Sequence, residues 1–460
     1  MNKSGFVLAG FETLSNITDN FIKNTKGRYN NNFTREDISN FFSKTCSGFL
    51  HSYGQTFAGK RNYSKHSKIE AQLFQNCRST GFFDNSEFFV DSGGFQVSIG
   101  KLSRDEAILL SKMYYEFLEK YYEVYDRAFI LDVPPGPGCE IFHNFEDVYK
   151  WNLSSYTIAA NMPKYVKDKI IYIHHFRTPK LWEMFMKILK DYDMFSNFNY
   201  HGAGGMTANL SSDVSIPCVV YVLPLTPLLN ECKKINRSYL HFHILGIATF
   251  RDIFFYELFQ KHVKKKHGID LIITYDSAVI YKGLMTGRSL YIRDDNVMRK
   301  VDIKSLQLNR PFKNGLKVAD VYKNSLAKLS NKYGFKIVGG DGIYNDKTGT
   351  FFEEIKVYTM MYVLDQFLEV QNMFRELVEI VYPMYESGNV EDFTREIIHI
   401  TRDLNNRKIT KKQRVKAISI VKSLDMLTNL DEDHCEYVIK RSLGKDEFSE
   451  LDSERRGMTI

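Results

Sequence analysis

Between residues 86 and 290 the chain alternates short apolar runs with longer amphipathic stretches, and no other feature of the sequence restricts the fold as much. The runs are EFFV (87–90), AFIL (128–131), IIYIHHF (170–176), VVYVLPL (219–225), YLHFHILGI (239–247) and LIITY (271–275). Between several of them lie helix-like segments such as Arg104–Tyr125, Pro179–Tyr192 and Ala248–His262. Strands in alternation with helices imply a parallel sheet and an α/β fold. At least six such strands over this span fit a (β/α)8 TIM-type barrel better than a small open sheet. The barrel is expected within residues 1–311. The polar stretches 23–35 and 51–68, rich in Asn, Ser and Lys, are expected as loops that leave it.

After residue 312 the pattern changes. Apolar residues recur at helical spacing over 316–332, 352–388, 391–406 and 410–429, so 312–460 is expected as a mainly helical region. A glycine-rich turn, Val338–Asn345, separates the first two of these helices. The composition is that of an ordinary folded protein, 43% hydrophobic and 25% charged, which excludes wholesale disorder. No run is long and apolar enough to span a membrane, and the apolar stretch near the N-terminus is too short for a signal peptide. The six cysteines are scattered singly, with no CxxC pair. A soluble protein of a reducing cytoplasm (the host's, if the chain is viral) is expected, with no membrane contact. Net charge is a mild +7, but 402–422 carries eight Lys or Arg against the single acid Asp403. Lys261–His267 is a second basic cluster. Either stretch suits phosphate contacts or a solvated helix face.

The chemistry lies at the ends of the apolar runs. Three of them finish in an aspartate followed at once by turn-forming residues: FFV-Asp91-SerGlyGly, FIL-Asp132-ValProPro and ITY-Asp276-SerAla. One such aspartate is ordinarily a helix cap or Asx turn. Three of them, delivered from three parallel strands to the C-terminal face of one barrel, form a shared site. Grouped carboxylates suit chemistry at a sugar C1′, where one attacks or stabilises the carbon and another moves protons. An enzyme acting on a glycosidic or N-glycosidic bond is therefore expected.

Asp91-Ser-Gly-Gly-Phe-Gln96 resembles the DSGG(F/Y)Q signature of the tRNA-guanine transglycosylase family. Leu131-Asp-Val-Pro-Pro135 resembles the LDIP form of its archaeal members, and His201–Met206 the glycine pair that follows a strand. Phe242–Ile247 resembles the LMGVG segment, and Gly268–Ala278 the stretch that carries the nucleophile. The five segments occur in family order over roughly 85–295. The resemblance implies Asp276 as the nucleophile that attacks C1′ and holds the sugar covalently. It implies Asp91 as the acid/base, and Asp132 as the reader of a guanine-like Watson–Crick edge. Phe95 and Leu245 match the positions that sandwich the base, while Gln96 and the backbone of Gly204 and Gly205 complete the pocket.

Four departures bear on the substrate. The tRNA enzymes carry a CxCxxC…H zinc module after the nucleophile strand, whereas here the only cysteine after Cys232 is Cys435. Cys139 with His143, and His434 with Cys435, are isolated pairs of little weight as metal ligands. The glutamine of the family's VQGG strand is replaced by Tyr172-Ile-His-His-Phe176, so His174 or His175 reaches the pocket, and His175 is preferred. The gap from Asp270 to Asp276 is long, which leaves Asp270 as a fallback nucleophile. No C-terminal RNA-binding module of the archaeal type is apparent. These departures resemble the 7-deazaguanine DNA transglycosylases of phages and bacterial modification systems. The resemblance then implies exchange of guanine in duplex DNA for a 7-deazaguanine such as preQ0, without metal or organic cofactor. A divergent tRNA enzyme is the closest rival; a noncatalytic nucleic-acid-binding subunit and an ordinary glycoside hydrolase follow.

Overall fold

A computed structural model describes residues 5–9, 35–59, 63–79, 86–134, 142, 144–175, 179–204, 222–246, 250–276, 290–294, 297–301, 328, 331–333, 344–345, 350–351, 353–401 and 411–436. Eight parallel strands close into a barrel: β1 Gly5–Ala9, β2 Gly48–Ser52, β3 Glu87–Asp91, β4 Arg127–Phe129, β5 Ile170–His174, β6 Tyr200–Ala203, β7 Tyr239–Ile244 and β8 Asp270–Asp276. Each strand pairs with the next in sequence, and β8 returns to β1 with Asp276 opposite Val7. The protein is a (β/α)8 barrel with a mainly helical C-terminal region.

Barrel strands are buried on both faces, which is why most read as continuous apolar runs rather than as alternations. Helices outside the barrel begin where a short polar side chain satisfies the first free N–H groups. Ser103 and Glu106 form a reciprocal capping box at the start of Arg104–Lys120, with bonds of 2.9 and 3.3 Å. Asn144 caps Phe145–Ala160 at 3.0 Å. The helix Phe250–His267 ends in Lys264, Lys265, Lys266 and His267, whose charge opposes the negative end of the helix dipole.

The C-terminal helices pack directly on the barrel. In Glu353–Glu386, Phe367 stacks on Phe6 of β1 at 4.9 Å, and Gln371 and Arg375 both bond the buried Glu257. Further along, Tyr382 bonds the buried His262 at 3.0 Å. Thr428, in the helix Lys411–Asn429, reaches the other nitrogen of the same ring, also at 3.0 Å.

Several expectations need correction. The run at 219–225 is not a strand over its described residues, because Leu225 already opens the helix Leu225–Lys234. The sixth strand is the four-residue YHGA of β6, too short and too small in side chain to stand out as an apolar run. The stretch 51–68 is not a loop. It holds the end of β2, the helix Tyr53–Ala58 and the start of His66–Ser79, and its His51, Tyr53, Phe57 and His66 are fully buried. Polar composition concealed four core side chains there. The boundary at 311/312, Cys139, His143, residues 402–410 and almost all of 316–332 and 338–345 lie outside the described residues.

Candidate active site

Alternation along a strand sends every second side chain into a barrel, and the three aspartates occupy the C-terminal ends of their strands. Asp91 ends β3, Asp276 ends β8, and Asp132 lies just beyond β4. Two glycines of the DSGG motif make this convergence possible. Gly93 has φ +91° and packs on Gly54, where a Cβ would come within 2.3 Å of the Gly54 Cα. A Cβ on Gly94 would lie 1.6 Å from the carbonyl oxygen of Asp132, so only glycine lets the β3 turn rest on the β4 turn.

Asp91 is half-buried. Its Oδ2 accepts from Ser52 Oγ at 2.6 Å, across the β2–β3 pair, and its Oδ1 accepts from Gly93 N at 3.4 Å. Desolvation by its surroundings pushes the carboxyl up to about 6, with the negative charges of Asp132 and Asp276 adding to the rise. The Ser52 and Gly93 bonds pull the other way. The electrostatic coupling places all three carboxylates in one pocket.

Asp132 is held in place by its backbone surroundings. Asn152 bonds both the N–H and the C=O of the next residue, Val133, at 2.9 and 3.2 Å, and Ser155 Oγ donates to the Leu131 carbonyl. Its Oδ2 is bonded by His175 Nε2. Gly204 flanks this pair, since a Cβ there would sit 3.0 Å from His175 Cε1 and 3.5 Å from Asp132 Oδ2. Asp276 accepts from Gly246 N at 2.8 Å and from His243 Nε2 at 3.3 Å, both on Oδ1. His243 is fully buried, and its Nδ1 is bonded to Thr274 Oγ1 at 2.9 Å. Gly246 adopts φ +75°, a conformation that glycine tolerates best.

Phe95 is 55% exposed on the short helix Gly94–Ser98, while Leu245, just after β7, is partly buried. Gln96 is buried, and its Oε1 has no hydrogen-bond partner among the described residues. Gly205 lies outside the described residues. Asp270, the fallback nucleophile, is at the first position of β8 and pairs with Lys264 at 2.8 Å. Six residues of extended chain, about 20 Å, separate it from Asp276. His174 faces the outer layer, stacked on His201 with Phe185 against its ring edge, so His175 is the histidine at the mouth.

The basic cluster Lys261–His267 is also far from the mouth. Lys264 pairs with Asp270 at the opposite end of the barrel, and Lys261 pairs with Glu379 of the long C-terminal helix at 2.6 Å. These cations fasten helices, which corrects the expectation that this stretch lies ready for phosphates beside the pocket. Among the described residues no group of three or more His, Cys, Asp or Glu is placed to hold a metal, and no helix is long and apolar enough to cross a membrane.

Ser52, His243, Thr274 and Gly246 escaped the sequence reading. The one available signal was spacing. In HFHILG the residues 243 and 245 share a strand face, so His243 points inward along with the Leu245 position. Its partner on β8 depends on register, which the sequence does not display: His243 lies opposite Thr274.

No protein-family model and no curated protein matches this chain. Among solved structures, it is similar to a family 1 β-glucosidase from Thermotoga maritima in complex with isofagomine lactam, at 11% identity and a TM-score of 0.22. The alignment covers 79% of this chain and 85% of that one. Likeness at this level carries no argument about the site.

Proposed function

We propose that the protein is an enzyme of base exchange, a pentosyltransferase that replaces guanine in DNA with a 7-deazaguanine such as preQ0. The observation that carries this reading is the set of three carboxylates at one barrel mouth, with Asp91 pushed up to about 6. Among the described residues none of the three pairs with a Lys or Arg. Such a carboxyl takes and returns a proton near neutral pH. Asp276, with two donors on Oδ1, keeps Oδ2 for attack.

In the first half-reaction Asp276 Oδ2 bonds to C1′ as the bond from C1′ to N9 of guanine breaks, and Asp91 in its protonated form supplies the proton that guanine takes away. The covalent sugar ester keeps C1′ activated without releasing it to water. In the second half-reaction Asp91, now ionised, takes the N9 proton of the incoming base. That nitrogen bonds to C1′ and Asp276 leaves as carboxylate. Asp132 reads the base edge, the exposed Phe95 offers a stacking face, and the orphaned Oε1 of Gln96 is ready to accept from a base N–H. The target nucleotide has to leave its stack to reach a barrel mouth.

The test is incorporation of labelled guanine, then of preQ0, into duplex DNA and into tRNA side by side, with Asp276→Ala as the blank. Incorporation into DNA alone supports the reading. Incorporation into tRNA alone replaces it with tRNA-guanine exchange. Absence of incorporation into either refutes the enzyme.

A further inference from the structure

Asp132 differs from the other two carboxylates in how its oxygens are used. Oδ2 is enclosed, bonded by His175 Nε2 and flanked by Gly204, where even a methyl group would stand 3.5 Å away. The carboxylate has no freedom to swing out of this arrangement. Gly94 packs on its backbone carbonyl, its N–H bonds the Ile130 carbonyl at 2.9 Å, and Asn152 clamps the following peptide. His175 is equally confined, 3% exposed at the end of β5, where Gly204 N bonds the preceding carbonyl of His174 at 3.0 Å. The pair is therefore already formed, and Oδ1 is the oxygen that remains to meet a base.

A guanine edge presents two neighbouring donors, N1–H and the 2-amino group. An ionised carboxylate takes both only when both its oxygens are open, as in bidentate pairing. We propose that His175 determines the base specificity of the site: by holding Oδ2 it leaves Asp132 to accept the N1–H alone. The pocket then reads purine-type bases by that single donor and tolerates those that lack the 2-amino group. This inference rests on the base-exchange reading above. It adds to that reading the class of base accepted and the residue that sets it.

The experiment compares labelled guanine with labelled hypoxanthine, which keeps N1–H and lacks the amino group, for incorporation into duplex DNA by the full-length protein and by His175→Phe. Phenylalanine keeps the ring volume and removes the ring N–H. The wild type is expected to use the two bases with kcat/KM values within about threefold. The variant is expected to prefer guanine by about tenfold or more, because the freed Oδ2 takes the amino group. A wild-type preference for guanine above about tenfold overturns the inference, and so does an unchanged ratio in the variant. Should the variant fail to fold, the wild-type ratio decides alone, on the same threshold. Incorporation of guanine without hypoxanthine sinks this inference and leaves the exchange reading intact. Failure of the wild type to incorporate guanine sinks both.

Discussion

The two ends of the barrel both carry carboxylates, and they treat them in opposite ways. At the N-terminal end Glu87 pairs with Arg127 at 2.8 Å, Asp126 with Arg78 at 2.7 Å and Asp270 with Lys264 at 2.8 Å. At the C-terminal mouth Asp91, Asp132 and Asp276 are held by a serine hydroxyl, backbone N–H groups and two histidines, with no Lys or Arg bonded to them among the described residues. A carboxylate matched by a fixed cation stays ionised and structural. One held by neutral donors keeps a free oxygen and an adjustable proton, which is what nucleophiles and acid/base groups require. The comparison teaches that partner type, rather than the presence of an acid, separates the working end from the bracing end.

The strongest way to break this comparison is to remove one acid at each end. Asp276→Ala is expected to abolish covalent trapping of nucleic acid and to lower exchange by at least about 10^3-fold. Asp270→Ala is expected to leave exchange intact and to cost about 0.5 kcal/mol or less of stability by denaturant titration, because its pair with Lys264 is solvent-exposed. Equal loss of activity in both variants would erase the distinction.

His243→Phe asks whether the neutral donors at the mouth position the nucleophile. Its ring packs between Phe129 and Phe89, at 4.8 and 5.8 Å, so phenylalanine fits the space while releasing Asp276 and Thr274. The expected result is a kcat about 10^2-fold lower with little change in KM. A purely structural role would instead show as lowered stability with kcat preserved.

The acid limb of kcat/KM sharpens the argument for Asp91. Its carboxyl is raised to about 6, so exchange that needs the ionised form is expected to fall as pH drops through that value. Ser52 donates to the ionised form, so Ser52→Ala should move the limb upward by a fraction of a unit to one unit. A limb that stays where it was would detach Asp91 from the proton transfer.

Away from the mouth, burial acts on histidines. His241 in β7 and the outward-facing His201 in β6 are both lowered to about 3, chiefly by desolvation. In the unfolded chain they take up protons below about 6.5, while in the folded protein they stay neutral until about 3. The unfolded state thus binds more protons in this window, and stability should fall as pH is lowered through it. The slope is about 1.4 kcal/mol per pH unit for each histidine. Above pH 7 neither contributes. His201→Phe should flatten the slope measured by denaturant titration between pH 6 and 4.

The barrel was legible because parallel strands are buried on both faces and print themselves as apolar runs, as in 87–90, 128–131 and 271–275. The strands that escaped are those whose function or position dilutes that print. YHGA of β6 uses glycine for close packing, and β2 places His51 and Ser52 where a polar stretch seems to begin. The three aspartates were legible too, because each ends a run and opens a turn. The residues that hold them were not, since Ser52 meets Asp91, and His243 meets Thr274, through pairing between strands far apart in sequence.

By itself, then, the sequence determined the periodicities, the strand-end acids and the glycines that only a tight turn explains, all of which depend on neighbours a few residues away. Tertiary structure alone decided between His174 and His175, between Asp276 and Asp270, and between a basic cluster at the mouth and one at the far end. Each of those choices turns on which face of a strand a side chain occupies, or on which end of the barrel it reaches. Both follow from the register of eight strands closing on one another, and no stretch of the chain contains that closure locally.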